Sequence, residues 1–409
     1  MKISNLGICV FFFYIFILFG IAAPQSAFLK IQLPHVQSWG KRFGFFIFGD
    51  SYVDAGNNNY INLTSDCRAN FPPYGETFFP IPTGRFSDGR IIPDFLAEYA
   101  QMPFIQAYLD PNNNNYTNGV NFASGGAGAL VETNQKKAIG LQTQMMFFKR
   151  VKKSLRKKLG NERSQSFLSN SVFLFHFGGN DYLNPLDINY DIFKTIEAQE
   201  QFVNMVIGNI TIALKEVYNY GGRKFGIMAL PPTGYLPNSR WKRSEQYFQE
   251  SSSITRIHNN LLFIALQKLA TQLNGFKYAF ADTHTFLLQT ILNPTKFGES
   301  TTRLVGVVCG RPLTKPFENT VKLFCFKVVD TACCGSGEFR GIYSCGRKEE
   351  PLPFTHCTNL QDYLFYDSYH PTEKASEQLA KLIWNGDDEI VKPYNFKQLF
   401  QYDSNMTFD

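Results

Sequence analysis

Short apolar runs alternate along the chain with longer stretches whose apolar residues recur at helical spacing. Five runs rich in β-branched and aromatic residues predict strands buried on both faces; they are residues 43–48, 120–123, 172–177, 224–230 and 276–281. The longer stretches predict helices over residues 92–100, 139–159, 202–218 and 244–273, and after Pro371. Strands that alternate with helices favour parallel pairing through right-handed crossovers. The pattern therefore predicts an α/β protein with a three-layer α/β/α domain.

Polar and charged stretches complete this pattern. Residues 112–118 and 160–170 predict surface loops. The basic residues between Lys149 and Lys158 lie within a predicted helix and predict its solvated face, with weak contact with cell-wall polyanions or anionic lipid as the alternative. The formal net charge of +6 is too small to indicate a nucleic-acid partner.

The N-terminus has the features of a secretory signal peptide. Lys2 precedes an apolar stretch at residues 6–18, and small residues typical of a cleavage zone follow. That stretch is short for a membrane span, and the sequence has none longer, so we expect no stable membrane span. We predict a signal peptide at residues 1–26, a single domain over residues 27–409, and a protein secreted to the extracellular space or apoplast.

Glycosylation acceptors agree with this prediction of secretion. Asparagines in Asn-x-Ser/Thr sequons accept glycans in exported proteins. The chain has four such asparagines, which are Asn62, Asn115, Asn209 and Asn405.

The cysteines also fit an exported protein. Those after the predicted signal peptide would meet an oxidising compartment, which favours disulfides, although their spacing leaves the pairing open. A zinc site is the alternative for one cluster: Cys333, Cys334, Cys345, His356 and Cys357. Because this spacing matches no zinc-finger pattern, we expect no metal site.

Candidate chemistry begins where the first predicted strand ends, at Gly49-Asp50-Ser51. A serine at the end of a buried strand is placed like a nucleophile, and the N–H groups that follow it can bind an oxyanion. The carboxylates Asp50 and Asp54 lack the spacing of a calcium loop, so we expect them to be structural.

Two acid–histidine pairs are candidates for the base. Asp367 precedes His370 by three residues, a spacing that lets the carboxylate meet the imidazole across one turn, orient it and stabilise its protonated form. Asp282 and His284 follow another predicted strand, but their spacing in extended chain offers no evident route to Ser51. On spacing alone both pairs remain candidates for the base.

Two further strand ends offer groups for an oxyanion hole. A glycine-rich segment at residues 123–128 has bare backbone that can approach a substrate closely. Asn180 follows another predicted strand and carries a side-chain amide donor. Each segment alone is typical of a tight turn, but the carboxyl ends of parallel strands meet at one edge of a sheet.

Taken in order, these segments resemble those of plant-type GDSL esterase/lipases of the SGNH hydrolase superfamily. The resemblance runs from about residue 45 to residue 384. It rests on four main strings, which are Phe48-Gly49-Asp50-Ser51, NFASGGAG at residues 121–128, Gly179-Asn180-Asp181 and Asp367-Ser368-Tyr369-His370-Pro371.

The resemblance implies a flavodoxin-like parallel sheet, the SGNH hydrolase fold, and hydrolysis of acyl esters without a cofactor. It also implies roles for three residues. Ser51 is then the nucleophile, His370 the base and Asp367 the residue that orients the base.

The same resemblance implies an oxyanion hole. Its donors are the backbone N–H of Ser51, the backbone N–H of Gly126 and the side-chain amide of Asn180. Gly125 is the alternative to Gly126, because the two are adjacent and the motif does not separate them.

The chain departs from the family pattern in three places. Tyr52 stands where the family name has leucine, and we expect it to pack beside the site and affect specificity. Tyr235 replaces a cysteine that is common in that segment, which puts one family disulfide in doubt. Residues 299–325 have no counterpart in the family and predict an insertion that forms an inert surface loop. A lid over the acyl cleft and intronic sequence carried into the gene model are the alternatives.

Together these features predict a secreted serine hydrolase that cleaves carboxylic esters of small molecules or lipids. A carbohydrate O-acetylesterase and a cutin-type acyltransferase are alternatives that would use the same residues. A catalytically inactive binding protein of the myrosinase-associated type is the alternative from another class. It is disfavoured because the nucleophile, the base, its aspartate and the oxyanion residues are all retained.

Overall fold

Strands and helices alternate through the computed structural model, which describes residues 43–62, 67–292, 307–308, 311–312, 326–347 and 353–401. In chain order the strands are β1 (Phe45–Gly49), β2 (Gly119–Asn121), β3 (Val172–His176), β4 (Lys224–Met228), β5 (Lys277–Ala281), β6 (Val307–Val308), β7 (Arg311–Pro312), β8 (Val328–Ala332), β9 (Cys334–Gly335), β10 (Thr355–His356), β11 (Tyr363–Phe365) and β12 (Val391–Pro393). The α-helices are α1 (Ile92–Tyr99), α2 (Leu141–Leu159), α3 (Asn161–Asn170), α4 (Gly179–Ile188), α5 (Ile196–Asn219), α6 (Pro237–Trp241), α7 (Glu245–Gln272), α8 (Thr283–Leu292), α9 (Glu373–Asn385) and α10 (Phe396–Leu399).

Six strands form the central sheet, in the order β12-β5-β4-β3-β1-β2. The first five strands of the chain pair in parallel, and β12 adds to β5 antiparallel. Pro393 ends β12, and proline suits an edge strand because it has no N–H to donate. The order β2-β1-β3-β4-β5 is that of flavodoxin-like sheets. The predicted fold class is confirmed, with an antiparallel edge that the pattern did not predict.

Two sets of helices cover the sheet. In one set α2 contacts α5 and α5 contacts α7, and α2 also contacts β1. In the other set α1 contacts α9 and α9 contacts α10, and α10 also contacts β4 and β5. The architecture is therefore the three-layer α/β/α arrangement that the alternation of elements predicts.

The basic run lies on the exposed face of α2. The buried residues of this helix recur every three or four positions, among them Phe148, Val151 and Leu155. Lys149 and Lys153 lie between them and are exposed. The run is thus a solvated helix face, and its contact with polyanions remains a prediction.

Residues 161–170 form helix α3, so the prediction of a loop over residues 160–170 was wrong. Gly160 has φ +84°, a left-handed conformation that ends α2 at little cost to a glycine. Phe167 and Leu168 are buried in the main core and anchor the otherwise polar α3. The polar composition of this stretch predicted a loop. The prediction failed because packing against the core can override a weak local preference.

Aromatic side chains fill the core around β1. The side chains of Phe45, Phe46, Ile47 and Phe48 are all 0% exposed. Phe48 stacks on Phe175 of β3 with ring centroids 4.7 Å apart. Many of the described phenylalanines therefore contribute to the packing of the sheet.

A smaller hydrophobic cluster lies apart from the sheet. It contains Tyr74, Phe86, Tyr366 and four half-cystines. The half-cystines form two disulfides, Cys333–Cys357 and Cys334–Cys345. Below, this group is called the disulfide cluster.

Several predictions fall outside the described residues. They are the signal peptide at residues 1–26, most of the insertion at residues 299–325, and Asn405. Within the insertion, β6 and β7 pair antiparallel. Contacts group the described residues into one compact unit. Among the helices that are described, none is long and apolar enough to cross a membrane.

Candidate active site

The carboxyl ends of β1 and β3 form the topological switch point of the sheet, where α/β proteins commonly bind ligands. Gly49 ends β1, and a Cβ there would lie 2.5 Å from Cγ2 of Val53 and 2.8 Å from the carbonyl oxygen of His176. The Gln144 side chain accepts a hydrogen bond from the N–H of Gly49 (3.0 Å) and donates one to its carbonyl (2.8 Å). The strand end is thereby held firmly, two residues before Ser51.

Asp54 links the turn after Ser51 to the glycine-rich segment. Its carboxylate accepts hydrogen bonds from the N–H groups of Gly56 (2.7 Å), Asn57 (2.9 Å) and Gly125 (2.9 Å). Burial raises the pKa of Asp54 to about 6, although these hydrogen bonds oppose the rise. The Asp54 side chain therefore stabilises the backbone around Ser51. This agrees with the structural role that we expected, since Asp50 and Asp54 lack the spacing of a calcium loop.

Ser51, His370 and Asp367 lie in one hydrogen-bonded chain. Nε2 of His370 is 2.7 Å from Oγ of Ser51, although 319 residues separate the two in sequence. Nδ1 of His370 is 2.8 Å from each carboxylate oxygen of Asp367. This geometry allows proton transfer between serine and histidine, with the carboxylate facing the other imidazole nitrogen.

Asp367 is 0% exposed, so its charge depends on its neighbours. Burial by itself would raise the pKa of this carboxyl. The charge and hydrogen bond of His370, the N–H of Tyr369 and the hydroxyl of Tyr74 outweigh burial and hold the pKa below its ordinary value. Asp367 therefore carries its negative charge beside the imidazole of His370.

The glycine-rich segment approaches Ser51 with its backbone. The N–H of Gly125 is occupied by Asp54, whereas Gly126 borders the cleft and its N–H bonds to no other described residue. Gly126 has φ +82°, and a Cβ there would meet Sγ of Cys67 at 2.8 Å. Of the two glycines, the geometry favours Gly126 as a donor.

Asn180 occupies the first turn of α4, and Gly179, Asn180 and Leu183 of this helix border the cleft. Its Nδ2 donates to the carbonyl oxygen of Ala127 at 3.0 Å, which places the amide beside Gly126. The N-terminus of a helix carries partial positive charge and favours an anion. Asn180 and Gly126 both border the cleft that contains Ser51.

Asp181, the next residue of α4, holds this arrangement together. Its carboxylate accepts hydrogen bonds from the N–H groups of Ala129 (2.9 Å) and Leu130 (3.0 Å) and from the hydroxyl of Thr133 (2.6 Å). The side chain is 0% exposed, and burial raises its pKa to about 6. Asp181 thus ties α4 to the loop that carries Gly126.

The cleft over Ser51 has a volume of about 220 Å³. One part of its wall is apolar and aromatic, formed by Phe86, Leu183, Leu230, Leu236 and Tyr343. Another part is polar, formed by Asn134, Lys137, Asn184 and Asp187. Such a mixed lining suits a molecule that has both apolar and polar parts.

Comparison with known proteins agrees with this geometry. Residues 45–383 match the family model described as GDSL-like Lipase/Acylhydrolase. "GDSL esterase/lipase 1" of Arabidopsis thaliana is 45% identical over 362 residues, which cover 87% of this chain and 89% of that protein. "GDSL lipase" of Tanacetum cinerariifolium is 44% identical over 357 residues, 87% of each chain.

This chain belongs to the GDSL-like lipase/acylhydrolase family. Its relatives are plant GDSL esterase/lipases, and the GDSL enzyme is accordingly a carboxylic ester hydrolase.

The rival acid–histidine pair of the GDSL enzyme lies elsewhere. Asp282 caps α8, accepting hydrogen bonds from the N–H (3.0 Å) and hydroxyl (2.7 Å) of Thr285. The described residues that line the cleft of Ser51 include neither Asp282 nor His284. The choice of Asp367 and His370 over this pair therefore agrees with their placement.

The cysteine-rich segment holds disulfides where zinc was the alternative. Cys333, Cys334, Cys345 and Cys357 are all disulfide-bonded, so none of them offers a thiolate ligand. His356 instead lies 2.7 Å from the carboxylate of Glu76. A zinc site in this segment does not fit its donor set.

Three of the four predicted glycosylation sites lie in the described residues. Asn62 and Asn115 are exposed, and Asn209 is half-buried on α5. Nδ2 of Asn209 donates to the carbonyl of Met205 within the helix. Glycan attachment remains a prediction at all four asparagines.

Two asparagines that sequence reasoning left without a role support the site of the GDSL enzyme. Nδ2 of Asn57 donates to the carbonyls of Asn121 (2.9 Å) and Ala123 (2.8 Å). Nδ2 of Asn58 donates to the carbonyl of Gly125 at 2.9 Å. The only signal for them in the sequence was their place in the asparagine run just after Ser51.

Tyr52 packs beside the site, as its departure from the family leucine led us to expect. Its ring lies 5.7 Å from that of His370 and 5.2 Å from that of His176. Its hydroxyl donates to the carbonyl oxygen of Tyr369 at 2.8 Å. A leucine at this position would lack that hydrogen bond.

Proposed function

We propose that the GDSL enzyme is a secreted serine hydrolase that cleaves acyl and lipid esters with Ser51 as nucleophile, His370 as base and Asp367 as the residue that orients the base. The observation that carries this proposal is the hydrogen-bonded chain from Oγ of Ser51 through His370 to Asp367, with distances of 2.7 and 2.8 Å. This chain stands at the edge of a cleft that also holds Gly126 and Asn180.

In the acylation step, Oγ of Ser51 attacks the carbonyl carbon of the ester while its proton passes to Nε2 of His370. The carbonyl oxygen becomes an oxyanion, which accepts hydrogen bonds from the N–H groups of Ser51 and Gly126 and from Nδ2 of Asn180. When the ester carbon–oxygen bond breaks, His370 returns the proton to the leaving oxygen. The alcohol departs and the acyl group stays on Ser51.

Deacylation repeats these steps with water. His370 accepts a proton from water as the water oxygen attacks the acyl carbon. The same donors stabilise the second oxyanion, and the proton then passes to Oγ of Ser51. The products are a carboxylic acid and the free enzyme.

The apolar part of the cleft supports an acyl substrate. Phe86, Leu183 and Leu230 can bury the chain of an acyl group, which an acetyl group would leave largely uncovered. Hydrolysis of carbohydrate acetates, or transfer to an alcohol in place of water, would use the same residues. Esters of rising chain length therefore discriminate between these activities.

Secretion is supported by the state of the cysteines. The disulfides Cys333–Cys357 and Cys334–Cys345 are typical of proteins from oxidising compartments. The predicted signal peptide at residues 1–26 and the sequons agree with export. N-terminal sequencing of protein secreted from plant cells tests the predicted end of the signal peptide at residue 26.

The test of the chemistry is Ser51→Ala in the full-length secreted protein. We expect hydrolysis of p-nitrophenyl esters to fall by at least about 10³-fold with the melting temperature unchanged, because a triad member contributes orders of magnitude. Labelling by a fluorophosphonate, located by peptide mass spectrometry, should occur at Ser51 in the parent and disappear in the variant. Ser253→Ala, a half-buried serine on α7, is the matched control.

The outcomes separate the candidate activities. Residual activity of Ser51→Ala within about tenfold of the parent would refute the nucleophile assignment. If the enzyme hydrolyses triolein and esters with acyl chains from butyrate up to palmitate in preference to acetate esters, the result supports the acyl esterase. Preference for acetylated xylan would instead support the O-acetylesterase.

A further inference from the structure

Asp367 has a hydrogen-bond partner from a distant part of the chain. The hydroxyl of Tyr74 donates to Oδ2 of Asp367 at 2.7 Å across 293 positions of sequence. Tyr74 is 2% exposed and Asp367 is 0% exposed, so water has almost no access to this contact. A hydrogen bond between a hydroxyl and a buried carboxylate is among the stronger ones in proteins.

The other partners of the carboxylate are local. Oδ1 accepts hydrogen bonds from the N–H groups of Tyr369 (2.9 Å) and His370 (2.8 Å), both within three residues of Asp367. Oδ2 faces Nδ1 of His370 on one side and the Tyr74 hydroxyl on the other. The phenol is thus the group that fixes the second oxygen from outside the turn.

The ring of Tyr74 is held by aromatic neighbours. Its centroid lies 5.6 Å from that of Phe71, 6.2 Å from that of Phe86 and 5.4 Å from that of Tyr366. Phe86 lies in turn 4.9 Å from the imidazole of His370. A phenol packed in this way presents its hydroxyl in one direction without further loss of rotamer entropy.

We propose that Tyr74 is a positioning residue of the esterase reaction, whose hydroxyl holds the Asp367 carboxylate in the orientation that His370 requires. The inference rests on the proposed roles of Ser51, His370 and Asp367. Tyr74 acts through Asp367 and does not touch the substrate.

Loss of the hydroxyl has two consequences. Oδ2 of Asp367 keeps only the imidazole as a partner, so the carboxylate turns more freely and His370 faces Ser51 in the productive geometry for less of the time. The carboxylate also becomes a stronger base, which stabilises the imidazolium. Because a protonated imidazole cannot accept the proton of Ser51, the enzyme without this hydroxyl needs a higher pH to reach full activity.

Other ionisable groups face the same pair. The tyrosines are Tyr52, Tyr343, Tyr366 and Tyr369, and burial raises the pKa of each well above the range of an assay between pH 5 and 9. Asp50 faces His370 and His176, and burial raises its pKa as well. Of these groups, Tyr343 also shares a side-chain hydrogen bond with Tyr74, and losing it raises the pKa of Tyr343 further, so Tyr343 stays neutral in both enzymes. The other four groups shape both profiles alike.

The test is Tyr74→Phe, which removes the hydroxyl and keeps the packed ring. We expect kcat to fall about 10- to 100-fold with KM within about twofold, since one hydrogen bond to a charged group is lost. We also expect the acid limb of the kcat/KM profile to move to higher pH. The rate at which a fluorophosphonate reacts with Ser51 should show the same shift in pH dependence. This rate does not depend on substrate binding or on product release.

Two further variants make the result specific. Tyr366→Phe removes a phenol hydroxyl from the same aromatic group, where it points to Glu76 at 3.4 Å, and should leave the profile unchanged. Incorporation of 3-fluorotyrosine at position 74 makes the hydroxyl a stronger donor and should move the acid limb to lower pH. This opposite shift does not depend on how well Tyr74→Phe folds.

The outcomes are distinct. A Tyr74→Phe enzyme with a lower melting temperature but an unchanged pH profile and kcat would overturn the proposal, as would equal shifts in Tyr366→Phe. An unshifted acid limb in the fluorotyrosine enzyme would overturn it too. If the parent enzyme is not labelled at Ser51, the proposed function itself fails, which is a different result.

Discussion

Ser51 and His370 meet at the cleft, but the segments that carry them, the serine side and the histidine side, are built differently. On the serine side, β1 lies inside the sheet between β2 and β3, and every residue of Phe45–Gly49 is buried. On the histidine side, an irregular segment connects β11 to α9 and contains no helix or long strand. This second segment packs against the disulfide cluster.

The backbone of the histidine side is tied to the disulfide-bonded cysteines. The N–H of Cys333 donates to the carbonyl of Phe365 (2.9 Å), and the N–H of Cys334 donates to that of Tyr366 (2.7 Å). The segment ends where Thr372 caps α9. Apolar burial thus fixes a strand, whereas a segment without periodic apolar residues is held by covalent and polar cross-links.

The largest expected effect comes from the serine side. Phe48→Ala removes a ring that is 0% exposed and stacks on Phe122 and Phe175, so we expect the free energy of unfolding to fall by about 3–5 kcal/mol. Urea denaturation measures this loss. Ile188→Ala, at a side chain that is 87% exposed, should change it by less than about 0.5 kcal/mol. Similar values for the two variants would contradict the role of burial.

Asn180→Ala tests chemistry on the same side without disturbing the core. If its amide binds the oxyanion, kcat should fall about 10²- to 10³-fold while the melting temperature stays within a few degrees. Steady-state kinetics on p-nitrophenyl butyrate measure the effect, with Asn204→Ala on the exposed face of α5 as the control. An unchanged kcat would show that the Asn180 amide does not bind the oxyanion and that its role is structural.

The disulfides test the histidine side. Replacing Cys333 and Cys357 together by serine opens a crosslink between residues 24 apart, which should cost about 3 kcal/mol. We expect activity to be lost at a lower temperature than the circular dichroism of the sheet, because the histidine segment loosens first. The Cys334–Cys345 pair spans 11 residues, so its removal should cost less. Coincident loss of activity and structure would erase the distinction between the two sides.

The smallest effect is a difference in pH dependence between the two sides. The pKa of Asp181 is raised to about 6, so its contribution to stability is present below about pH 4 and is lost as pH rises through 6. The pKa of Asp367 is lowered, so its contribution is present above about pH 4 and is lost as pH falls.

Asparagine variants at these two positions measure this difference. The stability of the parent relative to Asp181→Asn should fall by about 1–3 kcal/mol between pH 4 and 7. Relative to Asp367→Asn it should grow as the pH rises towards about 4, since the pKa of Asp367 is lowered. Urea midpoints across this range give both slopes, and slopes of the same sign would contradict the assigned shifts.

Local pattern predicted most of the serine side. The strand predicted over residues 43–48 is β1, and the segment predicted over residues 172–177 is β3, each within two residues at its ends. Continuous apolar runs encode such strands because both of their faces are buried. The polar α3 and the edge strand β12 were missed, since their stability comes from packing on neighbours that the local pattern does not contain.

The candidate site divides in the same way. Ser51, Asn180 and His370 were predicted because each lies in a motif next to a strand or a turn. The choice between Gly125 and Gly126 needed the structure, because it depends on which N–H Asp54 occupies. The role of the Tyr74 hydroxyl could not be predicted from the sequence, since no motif near Tyr74 indicates a contact with Asp367.

The sequence by itself determined the α/β alternation, the family, and the residues offered for catalysis. These follow from the burial period of each segment and from motifs a few residues long. Only the tertiary structure decided which distant groups meet: Ser51 with His370 across 319 positions, and Tyr74 with Asp367 across 293. The physical reason is that such contacts gain their energy from the packing of whole layers and crosslinked loops, and no local pattern of side chains specifies where two of those layers will touch.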